Sequence, residues 1–565
     1  MSDLPPYPPL DPTTYDLIIV GTGVSESILS AAASSSGTSV LHLDPNPFYG
    51  SHSASLSLPD LTSFLHSNSL SPPPPPPSDT PDFLSVDLAT RSLYSSVEIA
   101  TFDSSILDER HSRKFNVDLC GPRVLFCADE SINLMLKSGS NNYVEFKSVD
   151  ASFVGDSSGE LRSVPDSRAA IFKDKSLGLM EKKQLMKFFK LVQAHLAASS
   201  TESDEGAVKI AEEDMETPFV EFLAKMPLPP KIKSIILYGI AMVDYDQDNV
   251  EACGDLLKTR EGIARLALYI TSIGRFSNAL GALIYPIYGQ GELPQAFCRR
   301  AAVKGCIYVL RMPITALLLD KASESIVVET GGYKGVRLAT GQEIFSQKLI
   351  LDPCITVGSE SMSSLTDQQK ETLRVLVPKS ISSEGKIARG ICIIRGSVKA
   401  DISNALVVYP PKSLFREQLA AIRVLQLGSG LAVCPADMHV LYLSTVCDND
   451  EQGKTALLSA MSTLIKPQVP ENLQSDSAVE NDTAEAAKPV VLWRALYVQA
   501  MVKGEFGGSI SSAASPDGNL NYNEMVESAV KLYEQLMGSE ELFKEETSPD
   551  NATEEENDGG VEIEA

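Results

Sequence analysis

The stretch that most constrains this chain is "DLIIVGTGVSES", residues 16–27. The apolar run at 17–20 reads as a buried strand, Gly21-Thr22-Gly23 as a tight turn, and "VSESILSAAASSSG" as a helix that stops at Gly37. A second apolar run, "TSVLHLD", closes on Asp44, the acid that ends the second strand. Strand, glycine turn, helix and strand with an acid at that distance form the βαβ unit that opens a doubly wound nucleotide-binding fold. The expectation is an α/β chain with mixed sheets and a large domain of the flavoprotein (FAD/NAD(P)-binding) type.

The unit departs from its pattern in one place. The first glycine of such a site allows the tight turn, the second lets the backbone approach a pyrophosphate, and the third packs helix on strand. Gly21 and Gly23 supply the first two, and Glu26 stands where the third belongs. An acid in the first turn of a helix is favourable by itself, since it faces unpaired N–H groups and the positive end of the dipole. Beside a pyrophosphate on the same N–H groups it repels, by roughly 3 kcal/mol for charges about 5 Å apart at an effective dielectric near 20. After "LHLDPNPFYG" the chain continues Gly50-Ser51, where flavin enzymes of this fold often carry a Gly-Gly pair. These residues predict a fold that was kept and a cofactor that was lost. A flavin-dependent oxidoreductase is the alternative.

Nothing else in the chain supplies catalytic groups. The six histidines show no H-x-x-x-H or H-E-x-x-H spacing, so no metal site is expected. His42 alternates with Leu41 and Leu43 and reads as a structural histidine of its strand. There is no G-x-S-x-G and no Walker loop. The nine cysteines form no C-x-x-C pair, as expected of reduced core thiols in a reducing compartment. A formal charge of -26, from 48 Lys and Arg against 74 Asp and Glu, excludes the basic footprint that nucleic acid requires. No apolar run approaches the roughly 20 residues of a membrane helix, and the proline-rich start lacks the order of a signal peptide, so the cytosol is expected.

Composition and periodicity divide the chain. Residues 1–164 read as the first part of the large domain, with a proline-rich surface insertion at about 67–110 that contains "SPPPPPPS" at 71–78. Residues 165–275 read as an inserted helical domain, in which Leu185, Phe189, Val192 and Leu196 line one apolar face. Short apolar strands return over 276–465, a linker follows at 466–488, and 489–538 completes the large domain. The acidic tail, 539–565, is expected to be disordered.

Four blocks in order, "YDLIIVGTGVSESILSAAASSSGTSVLHLDPNPFYG", "RKFNVDLCGPRVLFCADESINLMLKSGSNNYVEFK", "LMEKKQLMKFFKLV" and "YPIYGQGELPQAFCRRAAVKGCIYVLR", resemble the conserved blocks of the Rab GDP-dissociation inhibitor and Rab escort protein superfamily, and within it they closely resemble the plant form of the escort branch. The resemblance spans most of 15–355, and the glutamate after "GTGV" belongs to that family's own signature. It implies a non-catalytic protein with no bound FAD, whose partners are GDP-bound Rab small GTPases and the geranylgeranyltransferase α/β heterodimer. It further implies that the geranylgeranyl group of Rab is carried as lipid, with transient membrane contact through the prenylated Rab. The Rab-binding positions carried over from the family fall on Tyr49, Glu292, Arg299, Ile307 and Val309; the inhibitor branch has threonine and methionine where Ile307 and Val309 stand. An Arg299–Glu292 ion pair that merely braces its own helix is the alternative reading of those two residues. A recycling inhibitor that extracts prenylated Rabs is the alternative function within the superfamily. The long segment between Gly50 and "RKFNVDL" favours the escort branch.

Overall fold

The computed structural model of the chain describes residues 8–68, 83–166, 168–200, 209–249, 256–279, 281–320, 332–358, 365–367, 370, 373, 385–466, 488–538, 541–543 and 563–564. The proline run at 71–78, the acidic stretch at 201–208, the linker over 467–487 and nearly all of the acidic tail lie outside the described residues.

Strand β1 (Thr14–Val20) turns into helix α1 (Val24–Ser35), which returns to strand β2 (Val40–Asp44). β1 has a parallel neighbour on each side: Leu17 pairs with Val40 on β2 and with Lys348 on the strand Glu343–Leu351. A parallel strand in that position is covered on both faces, which is why Ile18, Ile19 and Val20 form an unbroken buried apolar run. Beyond β2 the sheet gains one more parallel strand, Ile307–Leu310. On the other side it becomes antiparallel through Tyr333–Leu338, Ile314–Asp320, Phe83–Thr90 and Ile355–Val357.

α1 is buried from Val24 through Ser34, although serine and alanine make up most of it. Small side chains let helices Glu292–Val303 and Asn523–Met537 pack closely against it. Ser25 Oγ donates to the Met525 carbonyl at 3.2 Å, and Ser27 Oγ meets Cys298 Sγ at 3.2 Å.

A second sheet of eight strands includes Ile422–Gly428, Met438–Cys447, Lys386–Arg395 and Val490–Ala500 as consecutive neighbours. The helix Asp450–Leu464 covers one face, with Leu457, Ala460 and Met461 against Ala388 and Cys392. The other face, including Ile391 and Ile393, shares an apolar cluster with the helical segment.

In that segment the helices Leu179–Ser200, Phe219–Lys225 and Thr259–Ser272 pack around a π-helical stretch, Ile235–Ile240. The buried face of the long helix is Leu185, Phe188 and Val192; Phe189 and Leu196 of the expected stripe are only partly buried. Residues three and four apart lie on one side of a helix, so sequence spacing cannot choose between Phe188 and Phe189, and the packing neighbours decide. The helical segment also shares its core with the second sheet. Val154 and Val164 press on Gly239, where an added Cβ would lie 2.7 Å from Val164 Cγ2.

The expected surface insertion at about 67–110 requires correction. Phe83–Thr90 is a strand of the first sheet, and Tyr94–Thr101 pairs with Val490–Ala500 in the second. Val86 and Leu88 alternate as buried residues, a period-2 signal that the adjoining proline run obscured.

Candidate functional site

Around the glycine turn, carboxylate side chains approach both glycines closely. Gly21 has φ +95°, and a Cβ there would lie 2.7 Å from Asp352 Oδ2; a Cβ on Gly23 would lie 2.6 Å from Glu26 Oε2. Both glycines leave room, and carboxylates of this chain occupy it. Asp44 accepts from Thr22 N at 2.9 Å, Thr22 Oγ1 at 2.5 Å and Ser51 Oγ at 2.7 Å, so its oxygens are engaged by protein donors. His42 Nε2 donates to the Gly21 carbonyl at 2.5 Å, and burial pushes its pKa down to about 4. Burial first and Asp352 second push the Glu26 carboxyl up to about 8. Three buried carboxyl groups, Glu26, Asp44 and Asp352, therefore gather at the turn, and burial disfavours their ionised forms.

The turn "YGQGELPQ" is braced from below by a buried polar network that sequence spacing did not reveal. Asp118 accepts from Ser55 Oγ at 2.6 Å, from Gln290 N at 2.9 Å and from Tyr285 OH. Gln290 donates to the Arg123 carbonyl at 2.9 Å and accepts from Tyr522 OH at 2.8 Å. Arg123, buried, pairs with Asp517 at 2.6 Å. Gly291 packs so closely that a Cβ would lie 2.6 Å from Ser55 N. Blocks far apart in the sequence therefore hold one turn, and the turn starts one helix.

That helix, Glu292–Val303, buries Leu293, Ala296, Phe297 and Ala301 and turns Gln295 and Arg299 outward, with Glu292 half-buried at its start. Glu292 accepts from Tyr288 N at 3.0 Å, and burial pushes its carboxyl up to about 7. The Arg299 guanidinium lies over the Tyr143 ring, 4.7 Å from its centroid. Among the described residues no ion pair joins Arg299 to Glu292, so the bracing alternative does not describe this helix. Tyr288, 51% exposed, lies just before the helix.

Tyr49 is half-buried beside the same helix, its ring 5.7 Å from that of Tyr308 in an edge-on arrangement. Tyr308 OH is 2.9 Å from Ser30 Oγ. Tyr308 thus faces the α1 side, and Ile307 and Val309 must point to the opposite face. There Val309 is 9% exposed in the cluster that holds Ile18, Val20 and Leu43, with Ile307 packed against it. The expectation that Val309 offers a partner contact is corrected: strand alternation sends it into the core. Tyr308, between the two expected residues, was the missed neighbour of Tyr49, and the period-2 rule could have found it.

The helical segment holds a cavity of about 240 Å³ lined by Ile171, Met186, Phe189, Tyr269, Ile270 and Ile273, with Asp166, Lys190 and Gln193 among its polar residues. Phe172, Leu179 and Met180 are 60%, 83% and 68% exposed on the same segment.

The family described as GDP dissociation inhibitor matches residues 11–99 and 84–470. The chain belongs to the GDP dissociation inhibitor family. Within it, the chain is 81% identical over 571 aligned residues to Rab escort protein 1 of Arabidopsis thaliana, covering 100% of both. It is 34% identical to Rab proteins geranylgeranyltransferase component A of Drosophila melanogaster over 61% of this chain and 63% of that one. The solved Rab GDI of Plasmodium falciparum shares the fold with a TM-score of 0.63 at 19% identity, covering 94% of this chain and 99% of that one. The family expected from four sequence blocks is the family found, and its flavoprotein-like α/β fold with inserted helices is the architecture described above.

Proposed function

We propose that this chain is the Rab-binding accessory component of a protein geranylgeranyltransferase. It takes up unprenylated, GDP-bound Rab, presents the C-terminal cysteines of that Rab to a separate catalytic α/β heterodimer, and carries the lipidated product through the cytosol to a membrane. The observation that carries this reading is the identity of 81% with Rab escort protein 1 along the whole chain.

The chemistry of the outer face of Glu292–Val303 suits the task. Arg299 offers a planar fork of donors already stacked on Tyr143, so little freedom is lost when it binds a carboxylate or a carbonyl. Glu292 offers an acceptor, and Tyr49 and Tyr288 offer rigid apolar area with one hydroxyl each. The protein supplies orientation: holding a flexible C-terminal peptide near a second protein raises its effective concentration without any bond-making group of its own. The carboxylates at the glycine turn support a chain without a flavin, and a colourless purified protein that releases no cofactor on denaturation is the expected result.

The cavity beside Phe189 is the proposed resting place of the lipid. Its volume of about 240 Å³ is below the roughly 300–1,000 Å³ of sites for drug-sized ligands, so a prenyl chain has to displace side chains, and unbranched Met186 is suited to that.

A second reading, a recycling inhibitor, is favoured by the family description itself. Mixing Rab, the catalytic heterodimer and labelled geranylgeranyl diphosphate distinguishes the two. Incorporation is expected only when this chain is present, and only with Rab in its GDP form, because the switch loops reorganise with the γ-phosphate. Equal incorporation with and without the chain, alongside tight binding of prenylated Rab, assigns it to recycling.

A further inference from the structure

Three side chains of a different kind also lie beside the glycine turn. His52 lies in the short helical turn Ser51–Ser53 just after the Tyr49 loop, while Asp352 and Cys354 follow the strand Glu343–Leu351. Their ligand atoms lie within 4.8 Å of one another, and all three residues are buried. His52 Nε2 is 2.9 Å from Cys354 Sγ and 3.4 Å from Asp352 Oδ1.

The surroundings orient the group. His52 Nδ1 is engaged by Tyr94 OH at 2.8 Å, which leaves Nε2 directed at the cysteine and the aspartate. Asp352 Oδ1 accepts from Cys354 N at 2.8 Å, which sets the carboxylate. A ring whose second nitrogen is held by an outer partner is the usual support of a metal-ligating histidine. The charge of the pocket points the same way. Glu26, Asp44 and Asp352 are buried, and Asp44 accepts from Thr22, Ser51 and Asn46 donors.

We propose that His52, Asp352 and Cys354 form a structural zinc site beside the glycine turn, with one water as fourth ligand. Imidazole, thiolate and carboxylate in a compact buried set suit tetrahedral zinc. Zinc–ligand bonds of about 2.0–2.3 Å give tetrahedral edges of roughly 3.3–3.6 Å, so the His52–Asp352 separation already fits. The Cys354 sulfur has to withdraw by about half an ångström, within the reach of a small side-chain rotation. Binding releases the Cys354 thiol proton and any proton on His52. The ion would tie the Tyr49 loop to the end of a central strand and so hold that part of the partner-binding face.

Elemental analysis of the full chain, expressed with zinc and desalted, is expected to show about one zinc per chain. After chelation, titration with cobalt(II) is expected to produce a thiolate-to-cobalt charge-transfer band. The band is expected to vanish in Cys354→Ser and His52→Gln, to persist in Cys447→Ser, and to need about 10–100-fold more cobalt in Tyr94→Phe. Circular dichroism and melting of each variant separate loss of metal from loss of fold. Absence of zinc together with absence of the band in the wild-type chain overturns the site, as does a band that survives in folded Cys354→Ser and His52→Gln.

Discussion

Glu26 and Glu292 are both carboxyl groups whose surroundings disfavour charge, and they call for opposite uses of pH. Glu26 is buried, and its folded pKa of about 8 lies above the ordinary value of 4.5. The folded chain therefore holds a proton that the unfolded chain gives up, and stability falls as pH rises from about 4.5 to about 8. In chelator-treated protein, Glu26→Gln is expected to raise the melting temperature clearly at pH 8 and little at pH 5, with a gain of at most about 4 kcal/mol. An equal shift at both pH values contradicts that account. Glu292 is only half-buried, with its carboxyl pushed up to about 7, and its value to a partner lies in the ionised form. Rab affinity is expected to weaken between pH 8 and pH 6, and Glu292→Gln is expected to flatten that profile. Arg299→Ala and Glu292→Ala are each expected to weaken Rab binding by about 1–3 kcal/mol with the melting curve unchanged, as read by titration calorimetry.

At the scale of elements, the helix Glu292–Val303 is positioned by the turn that precedes it. Gly291→Ala would drive a Cβ to 2.6 Å from the Ser55 backbone nitrogen, so the cost falls on the angle at which the helix leaves the turn. The long helix Leu179–Ser200 has two apolar sides. Leu185, Phe188 and Val192 join the core, while Met186 and Phe189 line the cavity with Ile270 of the helix Thr259–Ser272. Filling that space with Ile270→Trp is expected to weaken binding of prenylated Rab at least about tenfold, the scale of losing roughly 1.4 kcal/mol of apolar contact. Affinity for unprenylated Rab is expected to stay the same. Parallel titrations of the two Rab forms check this, and equal losses for both would move the lipid elsewhere.

Across the whole molecule, Arg123 and Asp517 join parts of the chain nearly four hundred residues apart by a contact of 2.6 Å, with Tyr522 under the guanidinium 5.0 Å from its ring centroid. Arg389, also buried, donates to the Gln499 side chain and to the carbonyls of Cys120, Gly121 and Asp517. The C-terminal part is therefore bound into the large domain by charge-assisted contacts as well as by the strand Val490–Ala500. Arg123→Ala removes a buried guanidinium that donates to Asp517 and to the Asn521 carbonyl, and it is expected to cost about 3 kcal/mol of stability in a urea titration. Unchanged stability would show that water or a shifted side chain replaces the pair.

Much of this protein was legible from local order. The β1–α1–β2 unit, the helical segment and the family followed from short blocks, because a buried strand, a glycine turn and a helix face each leave a pattern within a few residues. Glu26 already marked the departure from the dinucleotide pattern, since its place after the two glycines needs no tertiary knowledge. Other features depended on residues that meet only after folding. Period alone did not choose Phe188 over Phe189, the proline run hid the strand Phe83–Thr90, and Val309 was taken for surface until its strand was seen against a filled core. The Asp118–Gln290–Tyr522 network and the His52–Asp352–Cys354 cluster left no local trace, because their members are brought together by sheet order and by packing, and neither is written in the spacing of neighbouring residues.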